Sequence, residues 1–339
     1  MEPITHFLTG ACLGRAGFNR QTALATATMT LAAEAPDLDV LWGFKGPVYG
    51  FAHHRGFTHS FLGVFLVSAV VTGFMYLIWR LRGRKTNLPD LPPRWGRLYL
   101  LAYIAGLSHI LLDFTNNYGV RPFWPFWEKW YSWDIVFIVE PALYIFLLAG
   151  LALPALLSRH TPSPRGRRSA TLALICVVAL YAIRDYEHRH AVRALHAISF
   201  QNGDTQDAPL RVSVYPYAWS VTHWYAVAET TDFFASADMN SRTGELDRKG
   251  LEFFAKAPET PATLTAKSSY LGRVYLDWAR YPLVTETDGG DKSAVHFMDL
   301  RFDYPRYRGQ IVLSCTIEVD RNLRLVREAF GLREQKPPL

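Results

Sequence analysis

Residues 61–79 read FLGVFLVSAVVTGFMYLIW, nineteen positions without a charge, and no other feature limits the possible folds so strongly. A helix of about 20 mostly apolar residues is what crosses a bilayer core of about 30 Å. Three more segments approach that standard. Residues 98–113 are apolar until His109, residues 135–157 carry only Glu140 as a charge, and residues 170–183 are shorter, extended by Tyr186 and a snorkelling Arg184. Two milder stretches come first, 4–13 and 22–35, rich in Ala and Thr. Joined by the polar turn RAGFNR, they predict a helical hairpin packed on the spans, since small residues permit close helix contact.

The basic residues sit beside these runs. Residues 80–97 hold Arg80, Arg82, Arg84, Lys85, Arg94 and Arg97 against Asp90, and residues 158–168 hold Arg159, Arg165, Arg167 and Arg168 with no acid. Two spans separate the two loops, so both can face one side, which the positive-inside rule makes cytoplasmic. Arg15 and Arg20 in the hairpin turn agree. Residues 36–60, 109–134 and everything after 187 then share the outer face. The net charge of +6 is therefore read as membrane orientation, with membrane lipids as neighbours and no nucleic-acid partner. Three scattered cysteines, Cys12, Cys176 and Cys315, indicate neither a disulfide framework nor a thiolate zinc site. The start, MEPITHFLTG, has no basic n-region and predicts no cleavable signal peptide.

From about residue 188 the period changes. RVSVY, HFMDLRFDY and QIVLSCTIEV alternate as half-buried strands do, TDGGDK and NSRTGE supply turns, and LRLVREAFG suggests a closing helix. The expected fold is mainly α: a polytopic transmembrane helical domain over 1–187, then a smaller soluble β-rich (α+β) domain over 188–339.

Polar clusters punctuate the ends of the apolar segments: His6 in PITHFLTG, Asp37 and Asp39 in APDLDVLW, the run HHRGFTHS at 53–60, and HILLD, which is His109 and Asp113. Positions i and i+4 share one helical face, so His109 and Asp113 can grip one cation together; a plain His–Asp hydrogen bond between helices competes with that reading. Ionisable groups at membrane depth are costly and usually mark a site. Of Asp37 and Asp39, one residue apart, an extended segment would point only one at a shared ion, while a cap for the following helix is the simpler alternative. His59 is the preferred ligand of its run. His54 or Asp134 (in YSWDIV) would carry a proton, and Arg55 would bind an anionic group, or else anchor at the interface. Imidazole and carboxylate donors without thiolate suit Zn²⁺ first, then Mn²⁺ or Fe²⁺. Such a site makes water a usable nucleophile near neutral pH, so hydrolysis leads the reaction classes. Nothing matches a Gly-rich phosphate loop, a nucleophile elbow or HExxH.

The stretches PITHFLTGACLG, APDLDVLW, HHRGFTHS and GLSHILLDFTNNYGVRPFWPF, in this order over roughly residues 1–190, resemble the bacterial membrane-bound metal-dependent hydrolase family, the YdjM-like group. That group is similar in motif order to the zinc-dependent phospholipase C and P1 nuclease superfamily. The resemblance implies His6, Asp37, His59, His109 and Asp113 as metal ligands. It also implies a bacterial inner-membrane location and a hydrolase activity; a site at the membrane edge adds the expectation of an ester or phosphoester in a lipid-like or envelope-linked substrate. The chain lacks a second HxxxE pair, which leaves room for one or two metals. A metal or proton transporter, or a structural membrane protein with a protein-binding soluble domain, are the rival functions.

Overall fold

A computed structural model describes residues 1–84, 91–157, 165–202, 205–305, 313–331 and 333–335. Its helices are α1 (Pro3–Arg15), α2 (Ala25–Glu34), α3 (Pro47–His53), α4 (Phe61–Leu81), α5 (Trp95–Thr115), α6 (Pro141–Leu157), α7 (Arg165–His196), α8 (Pro261–Ser268) and α9 (Tyr270–Trp278). The chain divides into two compact units: Met1–Val40 with Arg55–Asp185, and Leu41–His54 with Tyr186–Leu339.

The first unit is helical. Among the described residues, three helices are long and apolar enough to cross a membrane: α4, α5 and residues Gly166–His196 of α7. Their surfaces explain why. On α4, Phe65, Leu66, Val70, Phe74 and Leu77 all stand exposed, which a lipid solvent favours and water penalises. Helix α5 is the more enclosed, packing against α1, α2 and α4. The expected hairpin forms as α1 and α2. A Cβ on Gly10 would fall 2.7 Å from the Met29 carbonyl oxygen, so glycine is what lets these backbones touch.

The segment 135–157 is not one helix. Ile135 and Val136 donate their backbone N–H groups to the Thr115 carbonyl, and the helix begins only at Pro141. At about 1.5 Å per residue its 17 residues reach about 26 Å, the short end of what a crossing needs. Ahead of that helix, Glu140 is buried and paired with Arg184 at 2.6 Å. The segment 170–183 is the middle of a much longer α7, which runs unbroken past residue 187 to His196. Lys85, Asp90 and Arg159 of the basic loops lie outside the described residues.

The second unit contains two antiparallel sheets and a short β-ribbon. The ribbon is β1 (Phe200–Asn202) with β2 (Thr205–Asp207). The four-stranded sheet runs in sequence order through β3 (Arg211–Pro216), β4 (His223–Glu229), β5 (Phe233–Asn240) and β6 (Glu252–Ala255). The five-stranded sheet holds β7 (Pro282–Asp288), β8 (Lys292–Asp299), β9 (Cys315–Asp320), β10 (Leu325–Phe330) and β11 (Arg333–Gln335), also sequential neighbours. The stretch LRLVREAFG is a strand, not a closing helix: β10 pairs Phe330 with Cys315 and Glu328 with Ile317 along β9. Trp224, Phe233 and Val214 of the smaller sheet pack with Ala191 and Leu195 from the end of α7. The segment Leu41–His54, expected within the helical domain, folds here because Phe51 is buried, stacked on Phe330 at 4.2 Å and set edge-on to Trp278.

Candidate metal centre

Three elements of the first unit deliver four donor residues to one point. The 3-10 stretch Ala35–Lys45 follows α2 directly and brings Asp37; the 3-10 turn Phe57–His59 precedes α4 and brings His59; the last two turns of α5 bring His109 and Asp113. Each position has a local cause. Ser60 caps α4 by accepting from the Gly63 N–H at 2.9 Å, which fixes the turn that presents His59. The i, i+4 spacing of His109 and Asp113 stacks them on one helical face.

The donor atoms of these residues lie close together. His59 Nε2 lies 3.0 Å from His109 Nε2, 3.3 Å from Asp113 Oδ2 and 3.4 Å from Asp37 Oδ1. His109 Nε2 lies 3.4 Å from Asp113 Oδ2 and 3.5 Å from Asp37 Oδ1. All four donor atoms fall within 4.8 Å of one another. A tetrahedron with metal–ligand bonds of about 2.0–2.1 Å has edges of about 3.3–3.4 Å.

The tautomers point the same way. His109 Nδ1 is 2.6 Å from the Ala33 carbonyl, which can only accept, so that nitrogen carries the proton. His59 Nδ1 faces Asp39 Oδ2 at 3.3 Å, an acceptor again. When both rings are neutral their Nε2 lone pairs face each other and two carboxylate oxygens, an arrangement of acceptors that either a cation or a proton on His59 satisfies. Asp113 Oδ2 and Asp37 Oδ2 are buried without a hydrogen-bond donor. The residues therefore fit a divalent metal. With no metal bound, burial opposes charge on His59, but the Asp113, Asp37 and Asp39 carboxylates outweigh it and raise its pKa to about 10. Burial also opposes the Asp37 carboxylate, yet His59 and His109 hold its pKa at about 2.

Around the four donors the other expected residues separate. Asp39 stands behind His59 and accepts the Arg55 backbone N–H at 2.7 Å. Carboxylate–histidine contacts of this kind orient a ligand and raise its basicity. His6 is buried, stacked on His109 at 3.7 Å with Nε2 3.4 Å from Asp113 Oδ1, beside the four donors but not one of them. The Met1 amino group also reaches Asp113 Oδ1.

Arg55 has a different task from the anion binding expected of it. Its guanidinium is buried, donating to Asp113 Oδ1 at 2.7 Å, to the Gly119 carbonyl at 3.0 Å and to Asn116 Oδ1 at 3.3 Å, and it lies over the Tyr118 ring. It holds Asp113 in place. His54 caps α3 in the segment that folds with the second unit and is not among the four converging donors. Asp134 is buried in a left-handed backbone conformation, in a loop tied to the end of α5 through Phe114 and Thr115, and it is not among the converging donors.

Three contributors escaped the sequence reading. Asn116 and Tyr118 cradle Arg55, and their place directly after Asp113 in HILLDFTNNYG was the available signal. The third is Glu34 at the end of α2. Half-buried, it is pushed up to about 7 by burial first and then by the charge of Asp37.

Three membrane-length helices and a buried His/Asp cluster at the ends of two of them define a helical integral membrane protein with a centre able to hold a cation. The chain belongs to the YdjM inner membrane protein family, which matches residues 1–191. It is also 29% identical over 333 residues to the uncharacterized protein YfhP of Bacillus subtilis (strain 168), covering 96% of this chain and 93% of that one. That likeness therefore extends through the β-rich unit as well. No solved structure matches the chain.

Proposed function

We propose that this protein is a membrane-bound metal-dependent hydrolase acting on an ester or phosphoester, with Asp37, His59, His109 and Asp113 holding one divalent cation, zinc first. The observation that carries the reading is the set of five donor-to-donor distances between 3.0 and 3.5 Å, all close to a tetrahedral edge. A cation held there supplies Lewis acidity, polarising the scissile group and acidifying water. The protein's own residues do the rest. Asp39 and the Ala33 carbonyl fix both imidazoles with Nε2 inward, and Arg55 holds Asp113 by one oxygen while the other faces the two imidazoles. Asp37 is the one donor residue with solvent access, its side chain 21% exposed against 0% for the others, so substrate and water enter on that side. Glu34, near neutrality within electrostatic reach of Asp37, takes the proton-carrying role. The basic loops support a multi-pass chain with the second unit outside the cytoplasm, and a site beside the ends of two spans suits substrates that partition into the bilayer.

The full set of four protein donors favours a second reading, a structural metal that pins α5 to the turns before α4 and after α2. Elemental analysis and turnover of chromogenic phosphoesters and esters separate the cases. Wild type holding one metal per chain and turning over a substrate, with both lost in Asp113→Asn and turnover alone lost in Glu34→Gln, supports the hydrolase. Metal retained without turnover of any substrate in the panel supports the structural reading. Absence of metal from protein purified and refilled under several divalent ions refutes both.

A further inference from the structure

Away from the metal cluster, a cavity of about 550 Å³ opens beside the first turns of α7, lined by Arg20, Arg167, Arg168, Thr171, Leu172 and Ile175. Its charge is one-sided. Arg167 Nε donates to the Ala16 carbonyl at 3.1 Å, and among the described residues no carboxylate pairs with Arg20, Arg167 or Arg168. The sequence itself withholds acids here, with none between Glu2 and Glu34 and none between Glu140 and Asp185. Its floor is apolar. Arg168, Leu172 and Ile175 follow one another at i, i+4 and i+7 on one face of α7, and the two apolar members are 60% and 57% exposed. Leu172 also borders an almost wholly apolar groove between α6 and α7, walled by Phe146, Gly150, Leu153 and Cys176.

Three guanidiniums above an apolar stripe on a membrane-length helix match one chemistry, a phosphate joined to acyl chains. We infer that this cavity binds an anionic phospholipid, its headgroup phosphate among Arg20, Arg167 and Arg168 and its chains along Leu172 and Ile175 toward the α6–α7 groove. Arginine forks grip phosphate oxygens in pairs, and basic pockets at the ends of spanning helices gain strength from the low-dielectric boundary. A zwitterionic headgroup would bring its own cation against the three arginines. A soluble phosphate would leave the apolar floor uncovered. The inference stands independently of any metal or catalysis.

The test uses the full-length protein in a non-ionic detergent, with the thermal unfolding midpoint measured on adding phosphatidylglycerol, phosphatidylcholine or sodium phosphate. Phosphatidylglycerol is expected to raise the midpoint by several degrees, as any ligand selective for the folded state does. Phosphatidylcholine and sodium phosphate are expected to have little effect. In Arg20→Gln/Arg168→Gln the rise should disappear while the lipid-free midpoint stays put. Should the double variant fail to fold, Arg20→Gln alone, altering one exposed side chain, should bind fewer phosphatidylglycerol molecules than wild type in native mass spectrometry. An equal rise with sodium phosphate would make this a soluble-anion site and overturn the proposal. So would an equal rise with phosphatidylcholine, or a phosphatidylglycerol effect that survives in the variants.

Discussion

Gly63 contributes no side chain to the His/Asp cluster and lies in α4, yet its replacement by alanine should empty the candidate metal site. A Cβ there would stand 1.7 Å from the Phe57 carbonyl oxygen and 2.6 Å from its carbon. Neither atom belongs to a side chain that can swing away. Moreover, the Phe57 oxygen already accepts from the Ser60 N–H at 3.1 Å and from the Ser60 hydroxyl at 2.8 Å. Real Cβ contacts begin at 3.0 Å, so the turn must retreat by more than an ångström, and His59 sits two residues along it. Metal–ligand distances tolerate only about 0.2 Å. We expect Gly63→Ala to lose about 1–3 kcal/mol of stability from overpacking. It should also lose at least about 100-fold in metal affinity, more than outer contacts of a ligand typically contribute. The matched control is Gly73→Ala on the same helix, where a Cβ meets nothing within 4 Å. It should be neutral or gain up to about 1 kcal/mol from helix propensity. Thermal unfolding in detergent and chelator competition for bound zinc read the two effects. If Gly63→Ala binds zinc as tightly as Gly73→Ala and wild type, the turn does not hold His59 and the account of the site fails.

Asp39→Asn should weaken zinc binding by about 10–100-fold while leaving one ion per chain at saturation, because Asp39 orients His59 without joining the four donors. Metal affinity should climb about tenfold per pH unit from neutrality toward pH 10, since binding must expel the proton that the three carboxylates hold on His59; calorimetry in buffers of different ionisation enthalpy should show one proton released per ion, and a pH-independent affinity would contradict this. Turnover should rise through a pKa near 7 if Glu34 acts as a base, and Glu34→Gln should abolish that limb without changing metal content. Arg55→Met leaves Asp113 without its guanidinium and should destabilise the metal-free protein by about 3–5 kcal/mol, measurable as a lowered unfolding midpoint.

The candidate site was legible in the sequence to the extent that local spacing could carry it. The i, i+4 pair of His109 and Asp113 needs only a helix, and His59 stands out from its run because Ser60 begins the longest uncharged stretch. Which aspartate of PDLD joins the His/Asp cluster was open, because the segment is a 3-10 stretch and not an extended one, and only the packing after α2 turns Asp37 toward it and Asp39 behind His59. The two proton carriers expected from sequence, His54 and Asp134, are not among the four converging donors. His54 is five residues from His59, yet Phe51 draws the preceding helix into the other unit's aromatic core, and proximity in the chain said nothing of that competition. Arg55 read as an anion binder because its partner, Asp113, lies 58 residues away. Glu34 was passed over because its burial, which sets its pKa, is a tertiary property.

What the sequence alone determined is the choice of solvent: uncharged runs of membrane length compel helices that satisfy their own backbone hydrogen bonds, and period-two alternation compels sheets. Those are properties of consecutive residues. Tertiary structure decided which 3-10 turn met which helix end, how each imidazole is protonated, and where charge is buried. All of these depend on groups brought together from distant parts of the chain, which spacing along the sequence does not encode.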